Sequence, residues 1–496
     1  MMWLTQLLER NRQCRPGRTA LVDEERSVTW AELHDRTLQL ACGLADLGIR
    51  RGDRVAVLSK DRIEVLESYF ALARLGALFV PLNHSLAEPE VAGIVERVGA
   101  VAVLGESELL DRHTGLPSSV RLRVAFDKPA FASLGTLSAE RDLPDVADTD
   151  PIAVLHTSAT TGQAKGVTVD SASFRAIALG WLVMARPTDD IVMVNCCPLY
   201  HGSMVVSLTY LAAGATVVLM PGFTPQRALS AVEAHRATHM WLVPQMLRFM
   251  LQAKTSLRTD LSSLREVLYG AAPMPLDVYA DAVERLGCGF RQVYGMTEVG
   301  GPFVTLGPDE HPAPGDVTAR IPCGRVVPGM SARAVDENGR ELPPGEIGEI
   351  VVRGPGVMQG YWNDPEATRE ITRNGWTRTG DLGFMDEDGR ISLVDRTKDV
   401  IIRAGQNVYP SEIERALMTH PAVRDAAVVG MPDEDYGEVP LAYVALETDA
   451  PEPGTAELLA HVAGLLAPYK RPRRVEFIEQ VPRNPAGKII KKLLRA

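Results

Sequence analysis

The chain has 496 residues, more than a single hydrophobic core can serve, since cores stop growing at about 250–300 residues; two or more domains are required. Hydrophobic residues make up 46% and charged residues 23%, the balance of an ordinary water-soluble globular protein and not of a disordered or fibrous one. A net charge of -11 argues against general nucleic-acid binding, because a polyanion would be repelled over most of the surface.

Six cysteines (Cys14, Cys42, Cys196, Cys197, Cys288, Cys323) follow no metal-ligand spacing, and such sparse use suits a reducing cytosol. The start, Met1-Met2-Trp3-Leu4-Thr5-Gln6, lacks a basic segment followed by an apolar one, so no secretory leader is expected. The most apolar long window, 191–220, is broken by Asn195, Pro198, His201 and two glycines, and reads as buried strands and turns, not as a membrane span. A cytoplasmic protein, monomer or homodimer, is the expectation.

In chain order, Thr29-Trp30-Ala31-Glu32 is a capping box opening a helix that carries Leu33, Leu38, Ala41 and Leu44 and stops at Gly48. Residues 54–58 read as a buried strand, 62–74 as a helix ending near Gly76, and 78–81 as a strand. Short strands at 101–104, 152–156, 190–194, 215–220 and 240–243 keep this alternation, with helical stretches between most of them. The pattern predicts an α/β body with substantial parallel sheet, whose strands read as unbroken apolar runs. From about 340 the turn signals Pro343-Pro344-Gly345 and Asp386-Glu387-Asp388-Gly389 separate short strands of a β-rich module. A charged joint follows at Asp395-Arg396-Thr397-Lys398-Asp399, and then a compact α+β tail. There Ser411-x-x-Glu414 is expected to cap a helix, 426–429 to be a strand and 455–466 a helix. The resulting division is a large multi-subdomain α/β body over 1–395, a hinge at 396–400 and a small mobile α+β lid over 401–496.

The run His156-Thr157-Ser158-Ala159-Thr160-Thr161-Gly162-Gln163-Ala164-Lys165-Gly166 leaves the apolar segment 152–155. Its four hydroxyls, unhindered backbone and single ammonium suit a loop that wraps nucleotide phosphates. A Walker loop would place Ser or Thr after the lysine to hold magnesium; Gly166 stands there, so that reading fails. Composition alone leaves a solvated Ser/Thr loop open. In the tail, Lys470, Arg471, Arg473, Arg474, Arg483, Lys488, Lys491, Lys492 and Arg495 face only Glu476 and Glu479 nearby in sequence. Such a patch on an acidic protein suits a small polyphosphate, with a solvated helical end as the alternative.

Six further motifs follow the loop: Pro198-Leu199-Tyr200-His201-Gly202, Tyr269-Gly270-Ala271-Ala272-Pro273, Tyr294-Gly295-Met296-Thr297-Glu298, Thr379-Gly380-Asp381-Leu382-Gly383, Arg396-Thr397-Lys398-Asp399 and Pro482-Arg483-Asn484-Pro485-Ala486-Gly487-Lys488. With these, in this order, the chain resembles nearly end to end the adenylate-forming superfamily of acyl- and aryl-CoA synthetases, luciferases and adenylation domains. The resemblance implies that a carboxylate attacks the α-phosphorus of ATP while pyrophosphate leaves, so negative charge must be neutralised along the phosphate chain. It assigns that task to Thr157, Ser158, Thr160, Thr161, Gly162 and Lys165. Glu298 and Thr160 match the family's magnesium ligands, oxygen donors of the kind a hard cation prefers. Thr297 would bond the α-phosphate, while Tyr294 and the small Gly270, Ala271 and Ala272 would sandwich adenine. Asp381 and Arg396 would take the ribose, and Lys488 would close over the attacking carboxylate.

The same resemblance makes Lys398 the pivot about which the lid turns after adenylation. A second lid face, with Ala404-Gly405-Gln406-Asn407, would then leave a narrow tunnel for pantetheine. Tyr436, Tyr469, Arg471 and Arg473 match the positions that hold the nucleotide of CoA. His201 matches a gating residue at the pocket mouth, with a plain packed histidine as the alternative. The segments implied to line the acid pocket, 200–206, 241–245 and 298–304, contain no Lys or Arg. Val293 stands where malonate-activating relatives carry an arginine, and a dicarboxylate would leave an unpaired buried charge. The expected acid is an apolar monocarboxylate, flat aryl or medium alkyl. Ala159 and Ala164 depart from the family's glycine and proline, and Ala159 adds a methyl where the loop must approach phosphate. An AMP-forming acid:CoA ligase using ATP, Mg2+ and coenzyme A is therefore expected. Loading of a carrier protein, or activation of nitrite to diazotise an aryl amine, shares the first step and stays open.

Overall fold

Unbroken apolar runs need cover on both faces, and they become the inner strands of two sheets flanked by helices. The computed structural model describes residues 2–134, 142–157, 164–200, 202–253, 258–316, 321–447, 451–483 and 489–495. The chain forms two compact units: Met1–Ser331 with Arg353–Gly375, and Ala332–Val352 with Trp376–Ala496.

In the first unit, the capping box forms as the sequence predicts. The Thr29 hydroxyl accepts from the Glu32 amide at 3.2 Å while Glu32 accepts from the Thr29 amide at 2.7 Å. The helix it opens, Trp30–Asp46, buries Trp30, Leu33, Leu40 and Leu44. The helix Ile63–Leu75 is almost wholly buried and stops at Gly76, whose φ of +66° places it in the left-handed region that suits glycine. Strands Arg54–Leu58, Leu78–Leu82 and Ala102–Gly105 pair in parallel within a seven-stranded sheet. That sheet also holds Pro151–His156 and Gly166–Asp170 as an antiparallel pair.

The second sheet of this unit has nine strands among the described residues. Val192–Asn195, His239–Leu242, Glu266–Gly270 and Gly289–Met296 lie side by side in parallel, each a buried apolar run at its centre. Strand Thr216–Leu219 lies on the far side of Val192–Asn195, so the chain reverses its direction of travel across the sheet there. Ligands of open α/β sheets sit beyond the carboxyl ends of strands at such a reversal. The segments 196–200, 243–245, 271–273 and 297–300 occupy that edge.

A buried carboxyl joins the two sheets. Asp61 follows the strand Arg54–Leu58, is 6% exposed, and accepts from the Leu199 amide at 2.9 Å. Burial pushes its carboxyl pKa up to about 8, so it is protonated at neutral pH.

The second unit begins with an antiparallel sheet. Gly348–Arg353 pairs with Trp376–Met385, which pairs with Ile391–Arg396 across the predicted turn at Asp386–Arg390. The tail builds a further sheet from Ile401–Arg403, Gln406–Val408, Val423–Asp433, Gly437–Leu446 and Arg474–Phe477. Helices Pro410–Met418 and Thr455–Leu465 cover it through Ile413, Leu417, Leu458 and Val462.

Two findings depart from the sequence reading. Packing groups the β-rich module with the tail, because Ser411 donates its amide to Asp395 at 2.8 Å and Arg495 pairs with Asp399 at 2.8 Å. Ser411 and Glu414 do not form a capping box. Pro410, favoured at a first helical position, starts the helix earlier, and Ser411 lies inside it. Glu414 is buried, accepts from the Val428 amide at 2.8 Å and pairs with Lys491 at 2.8 Å.

Because Asp61 holds its proton more tightly when folded, its contribution is complete below the unfolded carboxyl pKa of about 4 and is lost as pH rises through about 8. The melting temperature of the wild type is therefore expected to fall more between about pH 5 and pH 8.5 than that of Asp61→Asn, which cannot ionise. Scanning calorimetry across that range checks this; parallel pH profiles for the two proteins would refute it.

Candidate active site

The first unit gathers several of the sequence motifs at one sheet edge. Strand Gly289–Met296 carries Tyr294 and Gly295 and runs into a short 3-10 turn, Thr297–Val299, that presents Thr297 and Glu298. A Cβ at Gly295 would overlap the backbone of Gly301 and Pro302 on the paired strand. At Gly270 a Cβ would collide with the Val293 carbonyl and come within 3.2 Å of the Trp241 ring. The segment Gly270-Ala271-Ala272 carries no side chain larger than a methyl, and Ala271 holds a left-handed φ of +65°. The Tyr294 ring packs against Phe303 with centroids 5.3 Å apart.

The loop rich in Ser and Thr leaves strand Pro151–His156 and returns on Gly166–Asp170, its ends joined by the Thr157 amide donating to the Lys165 carbonyl at 3.1 Å. His156, at its entrance, is half-buried, and desolvation pushes its pKa down to about 4, so it is neutral. Ser158, Ala159, Thr160, Thr161, Gly162 and His201 lie outside the described residues, as does Lys488 in the second unit.

A residue that the sequence reading missed ties loop and turn together. Tyr361 lies on the edge strand Gly360–Tyr361, paired with Val167 just beyond the loop. Its hydroxyl donates to Glu298 Oε1 at 2.8 Å, and Lys165 Nζ stands 5.0 Å over its ring. Burial and the neighbouring carboxylate raise the Tyr361 pKa, so the hydroxyl remains a donor. The signal available in the sequence was slight: a short strand far along the chain from its partner.

In the second unit, Asp381 and Arg396 face each other across the strands Trp376–Met385 and Ile391–Arg396, with Arg396 Nε 3.4 Å from Asp381 Oδ1. Asp381 is mostly enclosed and belongs to a strand, not to an exposed turn. Burial lowers the pKa of Lys398 at the charged joint. Ala404 and Gly405 make the left-handed tip of the hairpin Ile401–Val408, with φ of +49° and +79°. Tyr436 is 40% exposed beside it, and the Ala404 amide donates to the Tyr436 carbonyl at 2.8 Å.

The basic tail is largely neutralised within the fold. Lys470 pairs with Glu412 at 2.8 Å, Arg483 with Asp425 at 2.9 Å, Lys491 with Glu414 at 2.8 Å, Arg495 with Asp399, and Arg474 with Glu476. Arg471 donates to the carbonyls of Leu466 and Ala463 at 3.0 and 2.9 Å, closing the end of helix Thr455–Leu465. Arg473 is exposed. Acids at 399–425, remote in sequence, reach cations that seemed to face only Glu476 and Glu479.

A wall of small residues, a loop lysine and an oriented carboxylate at the carboxyl edge of a parallel sheet are the features of an α/β enzyme site. The family description "AMP-binding enzyme" matches residues 8–362, and "AMP-binding enzyme C-terminal domain" matches residues 412–488. The chain belongs to the AMP-binding enzyme family. It is 35% identical to the fatty acid–[acyl-carrier-protein] ligase ScoC of Streptomyces coeruleorubidus, over 99% of this chain and 96% of that one. With the feruloyl-CoA synthase of an Amycolatopsis species it shares 38% identity over 96% and 95%. Among solved structures, the o-succinylbenzoate CoA synthetase of Bacillus subtilis matches at 30% identity in complex with its acyl-adenylate intermediate (TM-score 0.86, covering 99% and 98%). The same enzyme with ATP and a magnesium ion matches at a TM-score of 0.87, 30% identity and 98% of each chain.

Since backbone at 301–302 cannot swing aside as a flexible side chain could, Gly295→Ala is expected to lower stability by about 1–3 kcal/mol in urea unfolding. Gly17→Ala, where nothing lies within 4 Å, serves as the control and is expected to be near neutral.

Proposed function

We propose that this protein is an ATP-dependent carboxylic acid:CoA ligase of the cytoplasm, forming an acyl-adenylate and then an acyl- or aryl-CoA thioester. The observation that carries this reading is the cluster of Lys165, Tyr361 and Glu298, with the small residues 270–272 leaving the strand next to the one that leads to Glu298. In the first step a carboxylate oxygen bonds to the α-phosphorus of ATP, and the bond to the departing pyrophosphate breaks. Lys165 and the hydroxyls of Thr157, Ser158, Thr160 and Thr161 offset charge along the departing phosphates, and Thr297 holds the α-phosphate. Lys488 steers the incoming carboxylate. Tyr294 and the 270–272 wall take adenine, and Asp381 with Arg396 takes the ribose.

Glu298 suits magnesium. Tyr361 fixes one carboxylate oxygen, which sets the direction of the other, and a single oriented carboxylate fits a hard cation that also binds phosphates and water. Bound there, with Thr160, magnesium would neutralise phosphate charge. In the second step the thiol sulfur of CoA bonds to the acyl carbon, AMP leaves, and the thiol proton is released. The functional division we favour is a body over 1–395, a hinge at 396–400 pivoting at Lys398, and a lid over 401–496 that serves both steps in turn. Gly405 would border the path of pantetheine, and Tyr436, Tyr469, Arg471 and Arg473 would face its nucleotide.

The acid is an apolar monocarboxylate, aryl or medium alkyl, entering past His201. Val293 is buried and the proposed lining segments carry no cation, so a second carboxylate would lack a partner. A carrier-protein thiol is the second reading, favoured by the likeness to the ScoC ligase. Among the described residues no helix is long and apolar enough to cross a membrane.

Release of AMP and pyrophosphate across a panel of acids, with CoA, with a pantetheinylated carrier protein, and with nitrite plus an aryl amine, tests the proposal. A CoA thioester is expected. A thioester on the carrier alone would move the acceptor, and AMP release only with nitrite would overturn the reading. Tyr361→Phe removes the donor that orients Glu298, and hydrogen bonds to charged groups contribute about 1.5–3 kcal/mol. The variant is expected to need about 10-fold more magnesium for half-maximal ATP–pyrophosphate exchange, with little change in KM for the acid. An unchanged magnesium titration would remove Tyr361 from the site.

A further inference from the structure

We propose that Arg403 is a further cation with which the second unit grips the phosphates of CoA, an assignment that rests on the acid:CoA ligase reading above. Coenzyme A carries a diphosphate and a ribose phosphate, so its binding surface needs positive charge that is not already neutralised. Most of the obvious supply, the basic tail, is occupied: Lys470, Arg474, Arg483, Lys491 and Arg495 are paired with carboxylates, and Arg471 closes a helix end, which leaves the exposed Arg473 and Lys492. Arg403 lies outside the tail and is held differently. Its guanidinium carbon stands 4.8 Å over the Tyr436 ring, and Nη1 donates to the Tyr469 carbonyl at 2.8 Å. Among the described residues no carboxylate pairs with it. An aromatic face and a carbonyl orient the guanidinium without cancelling its charge.

Position strengthens the case. Arg403 ends the strand Ile401–Arg403, in register with Gly437, and directly precedes the exposed hairpin tip at Ala404-Gly405. It therefore fastens together three segments proposed to meet the thiol donor: the tip, Tyr436 and Tyr469. A planar fork of five N–H donors, turned by stacking, is suited to bidentate contact with phosphate in a way a lysine is not. The Tyr436 ring, 40% exposed, remains available to the adenine of the same molecule.

Arg403→Ala and Arg403→Lys, in the full-length enzyme, test this with CoA, dephospho-CoA and pantetheine as acceptors, alongside ATP–pyrophosphate exchange. The alanine variant is expected to raise KM for CoA at least about 10-fold, with the loss confined to the CoA-dependent step and absent with pantetheine. Lysine, which keeps charge but not the fork, is expected to recover part of it. A smaller penalty with dephospho-CoA than with CoA would place the contact at the ribose phosphate; an equal one would place it at the diphosphate. A CoA KM within about twofold of wild type, or an equal loss with pantetheine, would overturn the proposal, the latter marking Arg403 as a brace for the hairpin. Failure of the underlying reading is separately visible: wild-type enzyme would then catalyse exchange and yet transfer nothing to CoA.

Discussion

Parallel strands cannot be joined by tight turns, and this constraint organises the first unit. Each strand must be followed by a crossover, so the segments leaving Val192–Asn195, His239–Leu242, Glu266–Gly270 and Gly289–Met296 all emerge at one edge. Motifs separated by many residues thereby become neighbours. Close strand approach at this edge is why Gly270 and Gly295 stand where a Cβ would strike backbone of the neighbouring strands. The edge also needs a fixed spacing between the two sheets, and the buried carboxyl of Asp61 on the Leu199 amide supplies one tie.

Charge is handled differently in the two units. In the first, Lys165 and Glu298 are kept apart and oriented through Tyr361, so neither cancels the other directly. In the second, most cations are matched to acids. The buried pair of Glu414 and Lys491 shows why: a carboxylate packed beneath a helix requires a partner, since isolated buried charge is strongly unfavourable. Asp381 and Arg396 face each other at 3.4 Å, and Arg403 is stacked on Tyr436.

Much of this was legible beforehand. Apolar runs located the strands, and the Thr29 capping box and Gly76 marked helix ends, because those features depend on neighbours along the chain. The motifs named Glu298, Asp381 and the segment Gly270-Ala271-Ala272 as candidates for the same reason. Ser411 and Glu414 misled, since a capping pattern is only local and Pro410 together with a buried ion pair overrode it. Tyr361 and Arg403 were not legible, for each acts through a partner brought by strand pairing.

By itself, then, the sequence determined the class of fold, the order of the motifs and the chemistry each residue type could offer. Those follow from periodicity and from side-chain functional groups, which are properties of short windows. Only the tertiary structure decided which charges are free and which are neutralised, which carboxylate is oriented and by what, and that the β-rich module packs with the tail. Ion pairing and hydrogen bonding depend on separations of about 3 Å between atoms whose residues are remote in sequence, and such distances exist only once the sheets have formed.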